Sequence, residues 1–366
     1  MSQNTQNTTN DNIPAGIGGK ATNLYRLKAM GIPVPNWVVI PQDTLLNQLP
    51  EEIIASGNAE KITAFIATLA VDDAELNTLL GALDDVSDNT FFAVRSSAID
   101  EDGSDFSFAG QYETFLYVKR NEIAEKVNLI WQSAFSARVL TYRKENGLQQ
   151  QAGIGVIIQK MIDPDTAGVA FGLDPTNGDT ETKVISAVYG LGEGLVSGEL
   201  DADTFKVKGK EVETTLANKP HRFAQGENGG TVILDVDDSL QNKPSLADNQ
   251  LFELSMLLER LQDKLGKPQD IEFAYVGEKL FLLQTRPVTA AGNTSQGEYI
   301  LWDNSNIIES YPGITTPLTF SFIIKVYEAV YKQFVGIMGV SDQEIEKHAE
   351  VFANTLGLVR GRTYYN

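Results

Sequence analysis

The chain has 366 residues, 42% of them hydrophobic, with no cysteine, which suits two or three cores and excludes disulfide frameworks, thiolate catalysis and Cys-type zinc sites. Its 29 Lys and Arg stand against 49 Asp and Glu, a formal net charge of −20 that argues against a nucleic-acid partner, since a phosphate backbone requires a basic footprint. No apolar stretch reaches membrane-spanning length, no signal pattern opens the chain, and the absence of cysteine is consistent with a reducing cytoplasm.

Residues 1–12 are a polar, low-complexity tail and read as disordered. A glycine loop, GIGGK, then runs into a helix carrying Leu24 and Leu27 on one side. Lys20 sits at the junction, where backbone amides favour anions and an ammonium adds a mobile charge, although a solvated helix-face Lys is the default reading of the pattern alone. The loop is not a P-loop, because Pro14 and Ala21 occupy positions that require Gly and Ser or Thr. Residues 43–85 read as helical, with Ile53, Ile62, Phe65, Ile66 and Leu69 as core.

The stretch FFAVRSSAIDEDGSDFSFAGQYETFLYV, residues 91–118, opens and closes as buried strands around a long acidic loop. Arg95 follows an apolar run directly, so a rigid strand end holds its guanidinium, and Ser96 and Ser97 add hydroxyls. That trio suits phosphate oxygens. The alternative is a structural Arg paired with Asp100, Glu101 and Asp102.

Residues 121–145 show apolar residues at helical spacing, with Gly147 as the stop. The β-like runs 153–161, 167–171, 183–189 and 204–208, the last paired with 211–215, are expected to form the sheet of a second lobe. Gln159 lies near the end of its run, where an amide could read an adenine edge or be satisfied by backbone. YGLGEGLVSG misses the GxGxxG fingerprint at Leu195 and reads as a glycine loop with Glu193 as a polar anchor.

Residues 251–265 form an amphipathic helix, followed by a hairpin over 269–288. Alternation places Ile271, Phe273 and Tyr275 on one face and Asp270, Glu272 and Ala274 on the other, while Leu282, Gln284 and Arg286 share a parity. A three-residue connection, Gly277-Glu278-Lys279, pairs Glu272 with Gln284 and Asp270 with Arg286, with a left-handed position near Gly277. Glu272, Gln284 and Arg286 then cluster as Mg²⁺ with a nucleotide requires, few protein oxygens being completed by phosphates and waters. A solvated polar face is the alternative. Residues 291–296 read as a polar linker and 297–366 as a helix-rich domain that ends at Tyr364-Tyr365-Asn366 without an evident closing element, as though cut short.

Three separated blocks, GGKATNLYRLKAMGIPVPNWVVI, AVRSSA with SFAGQYETFL, and DIEFA with LLQTRPV, occur in the order of a known family, with VIIQKMI and AGVAFGLDPTNG between them. Residues 13–290 resemble the ATP-binding domain of the phosphoenolpyruvate synthase and pyruvate phosphate dikinase family, which includes the rifampicin phosphotransferases. EYILWDNSNIIESYPGITTPLTFSF resembles the start of the middle domain in the rifampicin-phosphotransferase-like branch.

The resemblance implies an α+β, ATP-grasp-like fold whose two lobes, approximately 13–118 and 119–290, hold ATP between them. By the same resemblance Lys20 and Arg95 contact phosphates, Gly110 and Thr114 line the phosphate loop, and Gln159 faces the adenine. Glu272 and Gln284 hold Mg²⁺, and Arg286 clamps the phosphoryl group in transfer. The implied reaction passes the β-phosphoryl group of ATP through a histidine to a small-molecule acceptor such as pyruvate, leaving AMP and phosphate. Neither His221 nor His348 has glycine- and threonine-rich surroundings, so the phosphohistidine domain is expected to lie beyond Asn366 in a longer enzyme. An antibiotic phosphotransferase and a non-catalytic nucleotide-binding regulator are the alternatives.

Overall fold

In the computed structural model, residues 13–99, 112–145, 153–288, 302–303, 307–311 and 313–366 are described. The expectations for the tail, the acidic loop with Gly110, the stop at Gly147 and the linker fall outside them.

Four strands, β1 (Trp37–Ile40), β2 (Phe91–Ala98), β3 (Thr114–Lys119) and β4 (Ile154–Lys160), form an antiparallel sheet in the order β1-β4-β2-β3. One face is covered by helices: Ile62, Ile66, Val127, Ile130 and Trp131 pack on Phe92, Val94, Val118 and Ile158 in one core. Each such fully buried side chain contributes about 1.5–3 kcal/mol. Ile53, Phe65 and Leu69 lie at the margin of that core. The run 153–161, expected in the second lobe, is instead β4, with Gln159 opposite Trp37 and Ala93. Its nearly continuous burial suits a central strand, but local pattern does not say which sheet a strand joins.

The helix expected over 121–145 is broken into Ile123–Ala134 and Ala137–Glu145. Phe135 is fully buried at the break, and the Ser136 hydroxyl accepts from the Val139 amide at 3.4 Å, so a new helix starts there with a side-chain cap.

The second sheet contains β5 (Thr166–Phe171), β6 (Thr182–Tyr189), β7 (Asp203–Lys208) and β8 (Glu211–Thr215). After a separate ribbon of β9 (His221–Gln225) and β10 (Thr231–Asp235) come β11 (Gln269–Val276) and β12 (Lys279–Pro287). The order is β12-β11-β5-β6-β7-β8. The helix Asp248–Leu265 lays Leu251, Leu254, Leu258 and Leu261 on this sheet and ends at Gly266, whose φ of 79° provides the left-handed stop.

Helix α1 (Gly18–Ala29) joins the two sheets. Its Ala21, Leu24 and Leu27 enter the same core as Phe273 and Leu282. The Ala21 amide donates to Ser97 Oγ at 3.0 Å, and Asn23 Nδ2 donates to the Thr285 carbonyl at 2.8 Å. Gly18 permits this approach: it has φ +79°, and a Cβ there would lie 1.9 Å from the Ser97 carbonyl oxygen.

The β11–β12 hairpin departs from expectation in two respects, its turn and its strand parity. Val276 pairs with Lys279 across a two-residue turn, Gly277-Glu278, with Gly277 at φ 58° in the first turn position, as a type II′ turn requires. Glu272 nevertheless faces Gln284, and Asp270 faces Arg286, because the register shifts between Glu272 and Phe273. Leu283 is the extra residue of this bulge. It separates Leu282, which packs in the core, from Gln284, which faces the opposite way, so the expected common parity of these two residues does not hold.

Residues Thr294–Asn366 form a separate compact unit. Its helix Pro317–Ile337 is capped by Thr316, and Ile323 packs with Ile307 and Leu356. β13 (Leu356–Val359) and β14 (Arg362–Tyr365) form a hairpin, and Tyr365 bridges to Asp303. Among the described residues, no helix is long and apolar enough to cross a membrane.

Candidate functional site

A cavity of about 450 Å³ opens between the two sheets, lined by Lys20, Arg95, Thr114, Gln159, Glu272, Gln284 and Arg286. Of the expected site residues within the described chain, these seven are gathered there, whereas Ser96 and Ser97 are not. Two larger surface hollows, of about 890 and 810 Å³, contain none of them.

Arg95 is the centre of the polar end. Its Nη1 donates to the Leu283 carbonyl at 2.9 Å and to Gln159 Oε1 at 3.4 Å, and its Nη2 donates to Glu272 Oε2 at 3.1 Å and to Gln284 Oε1 at 2.9 Å. A rigid planar fork can satisfy four acceptors in this way, and the bulge contributes one of them by turning the Leu283 carbonyl toward it. Thr114 stands opposite Arg95 on β3. Lys20 reaches the cavity from the first turn of α1.

Arg286 Nε donates to Asp270 Oδ2 at 2.7 Å, which fixes the guanidinium at the rim. Burial pushes the Asp270 carboxyl above its ordinary range, while the Arg286 charge pulls the other way. Gln159 lines the cavity beside Arg95, and its Nε2 donates to the Pro35 carbonyl at 3.4 Å. Both of its amide atoms are therefore engaged near the polar end.

The serines of the expected phosphate trio have other work. Ser97 Oγ is taken by the Ala21 amide, Ser96 is fully buried, and neither lines the cavity. Alternation turns Ser96 away from the Arg95 face, and α1 covers Ser97.

Glu272 Oε2 and Gln284 Oε1 both accept from a single cationic nitrogen, so the two oxygens aim at one point and the pair suits a cation. Among the described residues, no cluster of three or more His, Asp or Glu is placed to hold a metal by itself. One carboxylate and one amide oxygen fit Mg²⁺ arriving with a nucleotide, since such a metal needs few protein oxygens and would take its remaining ligands from phosphates and water.

Leu116, Met161 and Leu191 make an apolar end to the cavity and pack with Tyr117 and Phe223. Burial, with Asp163 nearby, raises the Tyr117 hydroxyl to about 12. The sequence reading missed this wall. A local signal existed in the two-residue spacing of Gln159 on β4 and Met161 just past its end, but the wall's other members come from remote segments. Neither His221, paired with Asp235 at 3.1 Å, nor His348, near Glu344 at 3.3 Å, lines the cavity.

The family model for the pyruvate phosphate dikinase AMP/ATP-binding domain matches residues 73–300. The chain is 31% identical over 350 residues to the prodigiosin synthesizing transferase PigC of Serratia marcescens, covering 90% of this chain and 39% of that protein. It is 34% identical over 304 residues to a probable phosphoenolpyruvate synthase of Archaeoglobus fulgidus, covering 75% and 40%. With a rifampicin phosphotransferase of a Streptomyces species it shares 33% identity over 297 residues, covering 75% and 34%. The chain thus spans 34–40% of the length of these three relatives.

Proposed function

The chain belongs to the pyruvate phosphate dikinase AMP/ATP-binding domain family, and from that membership we propose that its cavity binds Mg-ATP as the nucleotide half of a dikinase-type phosphotransferase. The observation that carries this reading is the meeting of Arg95 with Glu272 and Gln284, two lobes' worth of charge inside a cavity also lined by Lys20 and Arg286. In a chain of net charge −20 these cations supply the local positive potential a triphosphate requires.

Lys20 and Arg95 neutralise phosphate oxygens, and Arg286, oriented by Asp270, holds the phosphoryl group that moves. Glu272 and Gln284 hold Mg²⁺, which when bound would spread charge between neighbouring phosphates. Glu272 Oε2 and Gln284 Oε1, which now accept from Arg95 Nη2, are the oxygens that would hold the metal, and Arg95 would then be free to pair with phosphate oxygens. Catalysis is then positioning and charge neutralisation.

In this reading the β-phosphoryl group passes to a histidine of a phosphohistidine domain that enters the cleft, AMP leaves, water takes the γ-phosphoryl group as free phosphate, and the histidine then passes its phosphoryl group to a small-molecule acceptor such as pyruvate. The cysteine-free composition suits a cytoplasmic setting. The test is β-labelled ATP, incubated with the chain alone and with a separately produced phosphohistidine domain of the family. AMP forms stoichiometrically, with label on the added domain, only when both are present. Rapid multiple-turnover AMP formation by the chain alone, or stable label on His221 or His348, would overturn the reading.

A further inference from the structure

The helix Pro317–Ile337 gives one side to the core of its own unit, where Ile323 is buried and Phe320, Ile324 and Tyr327 pack around it. Its other side is apolar as well. Leu318, Phe322, Val326, Val330, Phe334 and Ile337, with Met338 just past the last turn, are each between 40% and 85% exposed. A helix face that meets water ordinarily carries charge, and a helix that is apolar all round is covered on every side. The three charged residues of this helix do not interrupt the stripe. Lys325 and Lys332 both donate to Glu328, at 3.2 and 3.0 Å, and the three hold together along one flank.

The size of the stripe and the order of its residues say what covers it. Seven large side chains at these exposures leave on the order of 800 Å² of surface, more than the largest apolar patch of an ordinary monomer and about one partner's share of a standard interface. Residues four apart form one ridge of a helix, and here the ridge runs Leu318, Phe322, Val326, Val330, Phe334, Met338. From either end it reads long aliphatic, aromatic ring, valine. An identical helix running the opposite way, about a two-fold axis level with Glu328, therefore sets Val326 against Val330 of the second copy and Phe322 against its Phe334. Like ridges of two helices interdigitate, and because this ridge carries no charge, the pairing leaves no ion unpaired in the seam.

We propose that this face docks on the same face of a second copy of the chain, antiparallel, in a two-fold symmetric dimer. The surface lies outside the cavity lining, so the inference does not rest on the nucleotide reading.

The experiment is analytical ultracentrifugation of the full chain across the micromolar range, for the wild type, Val326→Lys, Val330→Glu and an equal mixture of the two variants. The wild type sediments as a dimer. Each variant alone dissociates at least about tenfold more readily, because an unpaired charge would enter the seam. The mixture recovers the dimer, since the new ammonium of one chain meets the new carboxylate of the other while Val330 of the first meets Val326 of the second. Recovery also guards against misreading a variant that has lost its fold, because only a paired seam restores association. A wild type that stays monomeric overturns the inference and leaves the face to a different protein or to further polypeptide. A dimer that survives both substitutions overturns it by placing the contact elsewhere. Species that grow beyond a dimer with concentration, or a mixture that stays monomeric, overturn the two-fold antiparallel arrangement.

Discussion

Arg95 Nη2 and Glu272 Oε2 lie 3.1 Å apart, joining β2 of the first sheet to β11 of the second across the cavity. The Arg95 side chain is only 12% exposed and that of Glu272 31%, so the pair is shielded from water far more than a surface ion pair. Replacing Arg95 by Ala is expected to weaken ATP binding by about 1–3 kcal/mol, read by titration calorimetry. Arg95→Lys should recover only part of it, since an ammonium lacks the fork that reaches Leu283, Gln159, Glu272 and Gln284 together. Full recovery by Lys would show that charge alone is at work.

Lys20→Met tests a second cation of the cavity. Lys20 lines the cavity from the first turn of α1, and its loss is expected to cost about 1–3 kcal/mol in ATP affinity with little change in melting temperature. An unchanged affinity would remove Lys20 from the phosphate site.

Gly18→Ala should damage fold and site together. The new methyl meets the Ser97 carbonyl oxygen at 1.9 Å, and φ is +79°, so the start of α1 must move. A destabilisation of about 2–4 kcal/mol is expected from overpacking plus a left-handed backbone position, measured by urea unfolding. Wild-type stability and wild-type ATP affinity in this variant would mean that α1 is not held against β2 as described.

Removal of divalent metal is expected to weaken ATP binding in the wild type, and the metal effect should shrink in Glu272→Ala and in Gln284→Leu. Mn²⁺, followed by water proton relaxation in the presence of ATP, gives a readout independent of turnover. An undiminished Mn²⁺ signal in both variants would move the metal site elsewhere.

The second sheet carries an acid-sensitive contact outside the cavity. Burial raises the Asp174 carboxyl, but the Thr176 amide at 2.9 Å, its hydroxyl at 2.6 Å and Lys206 at 3.0 Å prevail and hold it below its ordinary value. The folded value lies below the unfolded one, so this stabilisation is present above about pH 4, the ordinary carboxylate range, and is lost as pH falls through the lower folded value. The difference in urea midpoint between wild type and Asp174→Asn should accordingly hold from pH 7 to about 5 and close below about 4. A difference that stays constant to pH 2 would refute the assignment.

Much of the cavity can be read from the sequence because its residues interrupt or follow strong local patterns. Arg95 ends an apolar run, Glu272 falls on the alternate face from Ile271 and Phe273, and both facts are visible without a partner strand. The stripe of Leu251, Leu254, Leu258 and Leu261 likewise announces a helix and its buried face.

What the sequence determined by itself, then, was which residues are apolar together and which polar groups stand at element ends, since periodicity of two or 3.6 is a local property. The tertiary structure decided the partners. Nothing local assigns β4 to the first sheet beside β2, or covers Ser97 with α1 while leaving Arg95 open. The pairing of Glu272 with Gln284 was expected from a longer turn, but the protein reaches it through a tight turn at Gly277-Glu278 and the extra residue Leu283. A one-residue slip reverses which side chains face the cavity, and where that slip falls is fixed by packing on both sides of the strand: Leu282 must enter the core with Phe273 while Gln284 meets Arg95 from a segment remote in sequence.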